Sequence, residues 1–598
     1  MSIAYGVSWT DDRPIRRVVA FALVVALAVG GLGVAMKAGL DAGVPVIVRS
    51  TAESVASAER AVQRAGGSID LQLGIINGFK ATIPQSALAA LALSPFIWAM
   101  TPDSPVTMQG GGDSGYDKGD DGAPYVAAMS IGAPLAWVRG FTGKGIDVAL
   151  IDTGLVPAPE LAGRVINGPD LSFESQSDAL RYMDSYGHGT HMAGLIAGRD
   201  PRWGQGQVAE DTHFTGMAPD ARIVSVKVAN FNGTTDVSQV LAAIDWVVQH
   251  RKSGDLNIRV LNLSFGTDGT QDYRLDPLTY AAEVAWRAGI VVVAAAGNSG
   301  FGNDRLNNPA YDPFVIAVGA DDTKGSIGVA NDRVPDFSSR GTSRNVDVIA
   351  PGKSMISLRA PGSFLDDAYP GARIGSRYFR GSGTSEAAAV TSGAVAVLLQ
   401  ARPSLTPDQV KYLLRQSAAD LPKENGVAEG EGLVRVDKAI AAQLPASAAA
   451  YTQTWEPATG TGSLDGARGS LHLEDGGVVL EGEKDVFGQD FSTSNWAAAS
   501  AAGSSWTGGS WMGQQLTGDG FCSASWTGRA WAGSSWTGSS WTGSSWTGSS
   551  WTGKTWTGSS WTGSSWTGSS WTGSSWTGSS WTGSSWTSNS WSGAGWGP

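Results

Sequence analysis

The chain has 598 residues; 16% are charged, 81 are Gly and 25 are Trp, against roughly 25% charged in an ordinary globular chain. Such a length predicts several domains, one of them compositionally abnormal. A formal charge of −12 without a strongly basic block excludes nucleic acid as the main partner, and the single cysteine, Cys522, excludes a disulfide framework or a zinc site built on thiolates. Histidine chemistry can draw only on His188, His191, His213, His250 and His472.

Arg16 and Arg17 precede an uncharged run, Val18 to Met36, closed by Lys37. The run is long for a cleaved signal and just long enough to span a bilayer. Residues 1–40 are therefore expected to be an export signal or a signal anchor, with everything after them on the far side of the membrane. The arginine pair alone is weak support for the twin-arginine route. Residues 41–108 then predict β-α-β-β-α-β: a strand at Val44–Val48, a helix through Val55, Ala58 and Val62, and two strands about Asn77-Gly78. A short helix (Pro84–Leu93) and a strand (Phe96–Met100) complete this ferredoxin-like, split βαβ order. Residues 109–122, rich in Gly and Asp, read as a flexible linker.

From 123 to 444 apolar strands alternate with amphipathic helices. The strands are Val148–Ile151, Ile223–Val228, Val260–Phe265, Val291–Ala296 and Phe314–Val318; the helices include Val237–His250, Pro277–Ala288 and Ala387–Ala401. This predicts an α/β domain, an open parallel sheet with helices on both faces. Ile223–Val228 and Val260–Phe265 alternate with polar residues, so one face of each is expected to be less buried. Residues 445–495 read as a small β unit or linker. Residues 496–598 are an array of Ser-Ser-Trp-Thr-Gly pentads, with Trp at every fifth position from Trp506 to Trp596; Leu516 and Phe521 fill the two gaps in phase. Five is odd, so tryptophans on a flat strand would alternate faces. A solenoid stacking Trp on Trp, an extended tail binding glycan or cell surface, and a disordered spacer all suit this composition; the spacer is the default.

Three segments carry chemistry. Asp152 ends a buried strand in Ala149-Leu150-Ile151-Asp152-Thr153-Gly154, where the carboxyl end of a parallel strand faces the ligand crevice. His188 opens a small-residue helix in Gly187-His188-Gly189-Thr190-His191-Met192-Ala193-Gly194. Ser385 lies in Gly381-Ser382-Gly383-Thr384-Ser385-Glu386-Ala387, at a helix start that offers free backbone N–H groups. Each alone has a plain reading as turn, helix-start or cap residue, and His188 with His191 could be a metal pair, although no H-E-x-x-H carboxylate accompanies them. Together they supply a nucleophile, a base and an orienting acid.

Their order, Asp…His…Ser, resembles the subtilisin-like serine proteases, the subtilase family. Gly216-Met217-Ala218-Pro219, Leu261-Asn262-Leu263-Ser264-Phe265-Gly266, Ala294-Ala295-Ala296-Gly297-Asn298, Phe337-Ser338-Ser339-Arg340-Gly341 and Val348-Ile349-Ala350-Pro351-Gly352 match further family segments across 123–444. The resemblance implies a subtilisin-like endopeptidase in which Ser385 attacks, His188 is base and then acid, Asp152 orients His188, and Asn298 supports the oxyanion. It implies that Gly233, Thr234, Thr235, Ser264, Phe265 and Gly266 flank a polypeptide substrate, and that Ala295, Ala296 and Gly297 line its specificity pocket. Residues 41–108 resemble the family's propeptide, an intramolecular chaperone and inhibitor. No cofactor is required; many members bind structural calcium, for which no ligands are matched here. Glu386 departs from the Met of the family's Gly-Thr-Ser-Met-Ala, and is expected to shift the acidic limb of activity or narrow specificity, or else to point away. An extracellular or cell-surface enzyme follows. The alternative is a surface adhesion or binding protein whose protease-like domain is weakly active or inactive.

Overall fold

The computed structural model describes residues 43–51, 54–73, 77–92, 94–97, 99–102, 117–203, 213–300, 305–475 and 478–517, and backbone stretches between 525 and 583. The export segment 18–36 and linker residues 109–116 lie outside the described residues. No helix among the described residues is long and apolar enough to cross a membrane. The chain divides into two compact units, Met1–Gly112 and Asp113–Pro598.

In the first unit, the strands Gly43–Arg49, Ser68–Leu73, Gly78–Pro84 and Ala99–Pro102 form one antiparallel sheet. The third strand inserts between the first and second, and the fourth joins the free edge of the first. Alternate residues Val46, Val48, Phe79, Ala81 and Ile83 bury one face against Ala58 and Val62, one helical turn apart on Val55–Arg64. The last strand starts later than the apolar pattern suggests: Phe96 stays 39% exposed in a turn, its carbonyl accepting from Ser50 Oγ.

The second unit is built on seven parallel strands: β1 Asp147–Asp152, β2 Val165–Asp170, β3 Arg222–Lys227, β4 Ile258–Leu263, β5 Val291–Ala295, β6 Ile316–Asp321 and β7 Val348–Pro351. Their order is β7-β6-β5-β4-β1-β3-β2. The chain starts at β1 and builds outward on both sides of it, so the crevice at the carboxyl end of β1 is a topological switch point. Four helices matter for the site: α1 His188–Ala197, α2 Val237–His250, α3 Pro277–Arg287 and α4 Thr384–Ala401. Helix α4 packs on α1 and across β4–β7, and α2 packs on α3. Almost all of α4 is buried, as its Ala, Val and Leu on every side require.

The expected half-exposed faces of β3 and β4 do not occur. Both strands are interior, and Ser225 and Asn262 are buried. Their polar groups are met inside the protein: Asn262 donates to Ser264 Oγ and accepts from Ser392 Oγ, each at 2.8 Å. Lys227, also buried, pairs with Glu174. The end of the predicted linker is held as well, since Asp120 accepts from Arg380 Nη1 at 2.8 Å.

Residues 445–517 cover the outside of α2 and α3. Buried Arg468 pairs with Asp236, the N-cap of α2. Trp496 Nε1 and Trp511 Nε1 each donate to buried Asp245 on α2 at 2.8 Å, and Ser500 Oγ donates at 2.5 Å. Trp511 and Leu516, in phase with the pentads, are both 1% exposed. Further along, parallel pairing aligns Trp526 with Trp541, Trp531 with Trp546, Trp536 with Trp551 and Thr567 with Thr582. Each of these residues thus pairs with its equivalent three pentads on, the register of a coil whose turn holds three pentads.

Candidate active site

Asp152 ends β1 and is buried. His188 is the first residue of α1, entered through Gly187 at φ 109°, a left-handed conformation that a side chain would strain. His188 Nδ1 lies 2.8 Å and 3.0 Å from the two Asp152 oxygens, and the ring is 24% exposed. Asp152 therefore fixes the ring by Nδ1, leaving Nε2 for other partners. Burial alone would lower the basicity of His188; the charge and hydrogen bond of Asp152 outweigh it and push its pKa up to about 9, with lesser help from Glu386 and Asp184.

A buried carboxylate that the sequence motifs did not single out ties these two segments together. Asp184 accepts from Thr153 Oγ1 at 2.7 Å, from Gly187 N–H at 2.6 Å and from Thr190 N–H at 2.8 Å, while Gly189 N–H donates to Thr153 Oγ1. Burial raises its pKa. An acidic residue just ahead of a helix start was the available signal.

Ser385 is the second residue of α4. Its Oγ donates to Ser264 O at 2.8 Å, and Ser264 Oγ donates back to Ser385 O at 3.0 Å; among the described residues no hydrogen bond joins Ser385 to His188. Asn298 follows β5, with its Oδ1 accepting from Thr384 N–H at 2.9 Å and Thr384 Oγ1 at 3.1 Å. That fixes which end of the amide is free: Nδ2 faces Gly383, where a Cβ would lie 3.2 Å from Nδ2 and 3.6 Å from Ser385 N. Two donor nitrogens thus lie near one point beside the serine.

The remaining predicted residues lie in three segments near the carboxyl ends of the strands. Gly233, Thr234 and Thr235 form a half-buried turn ahead of α2, with Gly233 against the ring of Tyr186. Ser264, Phe265 and Gly266 leave the end of β4; Ala295, Ala296 and Gly297 leave β5, with Asn307 packed on Gly297. A cavity of about 580 Å³ adjoins the segment Met183–Ser185, between Phe231 and Phe364.

The Peptidase_S8 profile, described as the subtilase family, matches residues 143–434. Serine protease AprX of Bacillus subtilis (strain 168) is 37% identical over 309 residues, covering 50% of this chain and 67% of AprX. Subtilisin Savinase of Lederbergia lenta is 33% identical over 307 residues, covering 51% of this chain and 95% of its own. The chain belongs to the subtilase family. It is a serine peptidase of that family, with the mixed α/β architecture predicted for it. Among solved structures, fervidolysin from Fervidobacterium pennivorans, described as a keratinolytic enzyme related to subtilisin, aligns with a TM-score of 0.44 and 27% identity, covering 69% of this chain and 63% of its own.

The metal pair has no third ligand: no group of three or more His, Cys, Asp or Glu suited to a metal occurs among the described residues. Buried Asp321 and Asp332 interact, and among the described residues no third acidic side chain groups with them. No residue is assigned to calcium.

Proposed function

We propose that this subtilase is an exported endopeptidase in which Ser385, His188 and Asp152 hydrolyse peptide bonds, with Asn298 and the Ser385 N–H holding the oxyanion. The observation that carries this reading is the convergence of Asn298 Nδ2 and Ser385 N beside a serine at a helix N-terminus, with the Asp152–His188 pair across the cleft. For reaction the Ser385 hydroxyl leaves Ser264 O and donates to His188 Nε2. As Oγ bonds to the peptide carbonyl carbon, its proton passes to Nε2, and the carbonyl π pair moves to oxygen, into the two N–H donors. Collapse breaks the C–N bond, and His188 returns the proton to the leaving amine. Water then repeats the sequence, releasing the acid and restoring Ser385. The edges at Gly233–Thr235 and Ser264–Gly266 flank the substrate, and Ala295–Gly297 line the pocket for the residue before the scissile bond. No cofactor takes part.

The βαββαβ unit serves as propeptide, chaperone and inhibitor; residues 18–36 direct export and either are cleaved or anchor the enzyme at the cell surface. The pentad tail then retains it at a surface or glycan. Expression of the full chain beside Ser385→Ala tests this: the wild type is expected to show a new N-terminus between the units and to hydrolyse peptides, and the variant to do neither. Identical N-termini with no hydrolysis in either would favour the adhesion or binding protein with an inactive domain.

A further inference from the structure

Glu386 follows the nucleophile and is the third residue of α4, yet it turns inward and is only 6% exposed. Its Oε1 lies 3.7 Å from Nε2 of His191, itself 4% exposed. Neither ring nitrogen of His191 has a hydrogen-bond partner. The segment carrying the nucleophile closes over this pair: a Cβ at Gly381 would sit 2.3 Å from Glu386 Oε1 and 3.0 Å from His191 Nε2. At Gly383 the same construction meets Glu386 Oε2 at 2.9 Å, Asn298 Nδ2 at 3.2 Å and Ser385 N at 3.6 Å. The carboxyl and both oxyanion donors therefore surround a single point. A carboxylate there would repel the negative oxygen formed in the transition state through a medium that screens little.

We infer that Glu386 works as a neutral acid beside the oxyanion donors, its carboxyl facing His191 Nε2, and that its ionisation switches the enzyme off at alkaline pH. This rests on the Ser385 assignment proposed above. The titratable groups that face Glu386 are His191 and His188 on α1 and Asp152 at the end of β1. Burial raises the pKa of Glu386, against a smaller opposing effect of His188, and burial lowers His191 to about 3, leaving its ring neutral and able to accept. Titration of Glu386 and His188 is coupled: each holds or releases its proton according to the charge of the other. The competent form has both neutral: with Glu386 uncharged, its part of the upward push on His188 is absent, and removing the Glu386 proton ends that form.

The test is the pH dependence of kcat and KM for peptide hydrolysis by the full-length wild type, Glu386→Gln and Glu386→Met, with Ser385→Ala as the reference for serine chemistry. The wild type is expected to lose kcat, with KM little changed, on the alkaline side. Both Glu386 variants should keep kcat there, at tenfold or more above the wild type at the alkaline extreme. In the Ser385→Ala background at neutral pH, infrared difference spectra should show a protonated carboxyl band absent from Ser385→Ala/Glu386→Gln. An alkaline limb unchanged in the variants would overturn the inference. So would movement of the acid limb alone with no carboxyl band, which would make Glu386 a working carboxylate. If the variants do not fold, a wild type without an alkaline fall in kcat while still folded overturns it as well. Hydrolysis surviving in Ser385→Ala would instead sink the serine assignment.

Discussion

Asn298 is held by one end of its amide and free at the other. Thr384 supplies both donors to Oδ1, so the orientation of Nδ2 toward the nucleophile is set before substrate arrives. Replacing Asn298 by Ala should lower kcat by roughly 10²–10³ with little change in KM, the usual cost of losing one oxyanion donor; a change in KM alone would mean that the amide contacts ground-state substrate only. Asp152, His188 and Ser385 were legible in the sequence because glycines and small residues crowd around each. Gly189 shows why: a Cβ there would lie 2.3 Å from Gly154 O. Asp184 was signalled only by its place ahead of a helix start, because much of its action goes through the backbone N–H groups of Gly187 and Thr190, which leave no side-chain pattern. Glu386 was legible as a departure from the family, but its inward turn against His191 belongs to packing.

At the scale of elements, α2 was readable at both ends. Asp236 and Gln239 form a capping box, and the apolar period runs unbroken to His250. β2 was missed: Val165-Ile166-Asn167-Gly168-Pro169-Asp170 carries no sustained apolar run, and its Pro is tolerated because the strand lies at the sheet edge. α4 starts at Thr384, earlier than its apolar run suggests, because the polar residues of its first turn are turned into the site. The docking of residues 493–517 centres on one carboxyl. Asp245→Ala leaves the indole N–H groups of Trp496 and Trp511 and the Ser500 hydroxyl without their acceptor. Such losses cost about 1–3 kcal/mol each, so the variant should lose at least ~2 kcal/mol in urea unfolding, measured in the Ser385→Ala background to prevent autolysis. An unchanged midpoint would mean that this segment adds nothing to the stability of the peptidase domain.

For the molecule as a whole, buried acids set a pH dependence distinct from that of catalysis. Burial pushes Asp312 up to about 8 and Asp332 up to about 6, against about 3.9 in an unfolded chain. Between these values the folded protein binds more protons than the unfolded one, so this stability is complete below pH 4 and is lost as pH rises through 6 and 8. Asp312→Asn should therefore lose less stability than the parent between pH 5 and pH 9; equal losses would show that Asp312 is already ionised at pH 5. The repeat tail was legible only as a period. Five residues cannot keep a face on a flat strand, whereas a turn of three pentads returns every Trp to a Trp, a spacing that composition alone does not specify. The central claim, that Ser385 is the nucleophile and His188 its base, is tested most directly by treating the processed enzyme with a fluorophosphonate and mapping the adduct by mass. One adduct on Ser385, forming faster as His188 loses its proton and absent in His188→Ala, is the predicted result; a folded enzyme that hydrolyses peptides but carries its adduct elsewhere, or none, would contradict it.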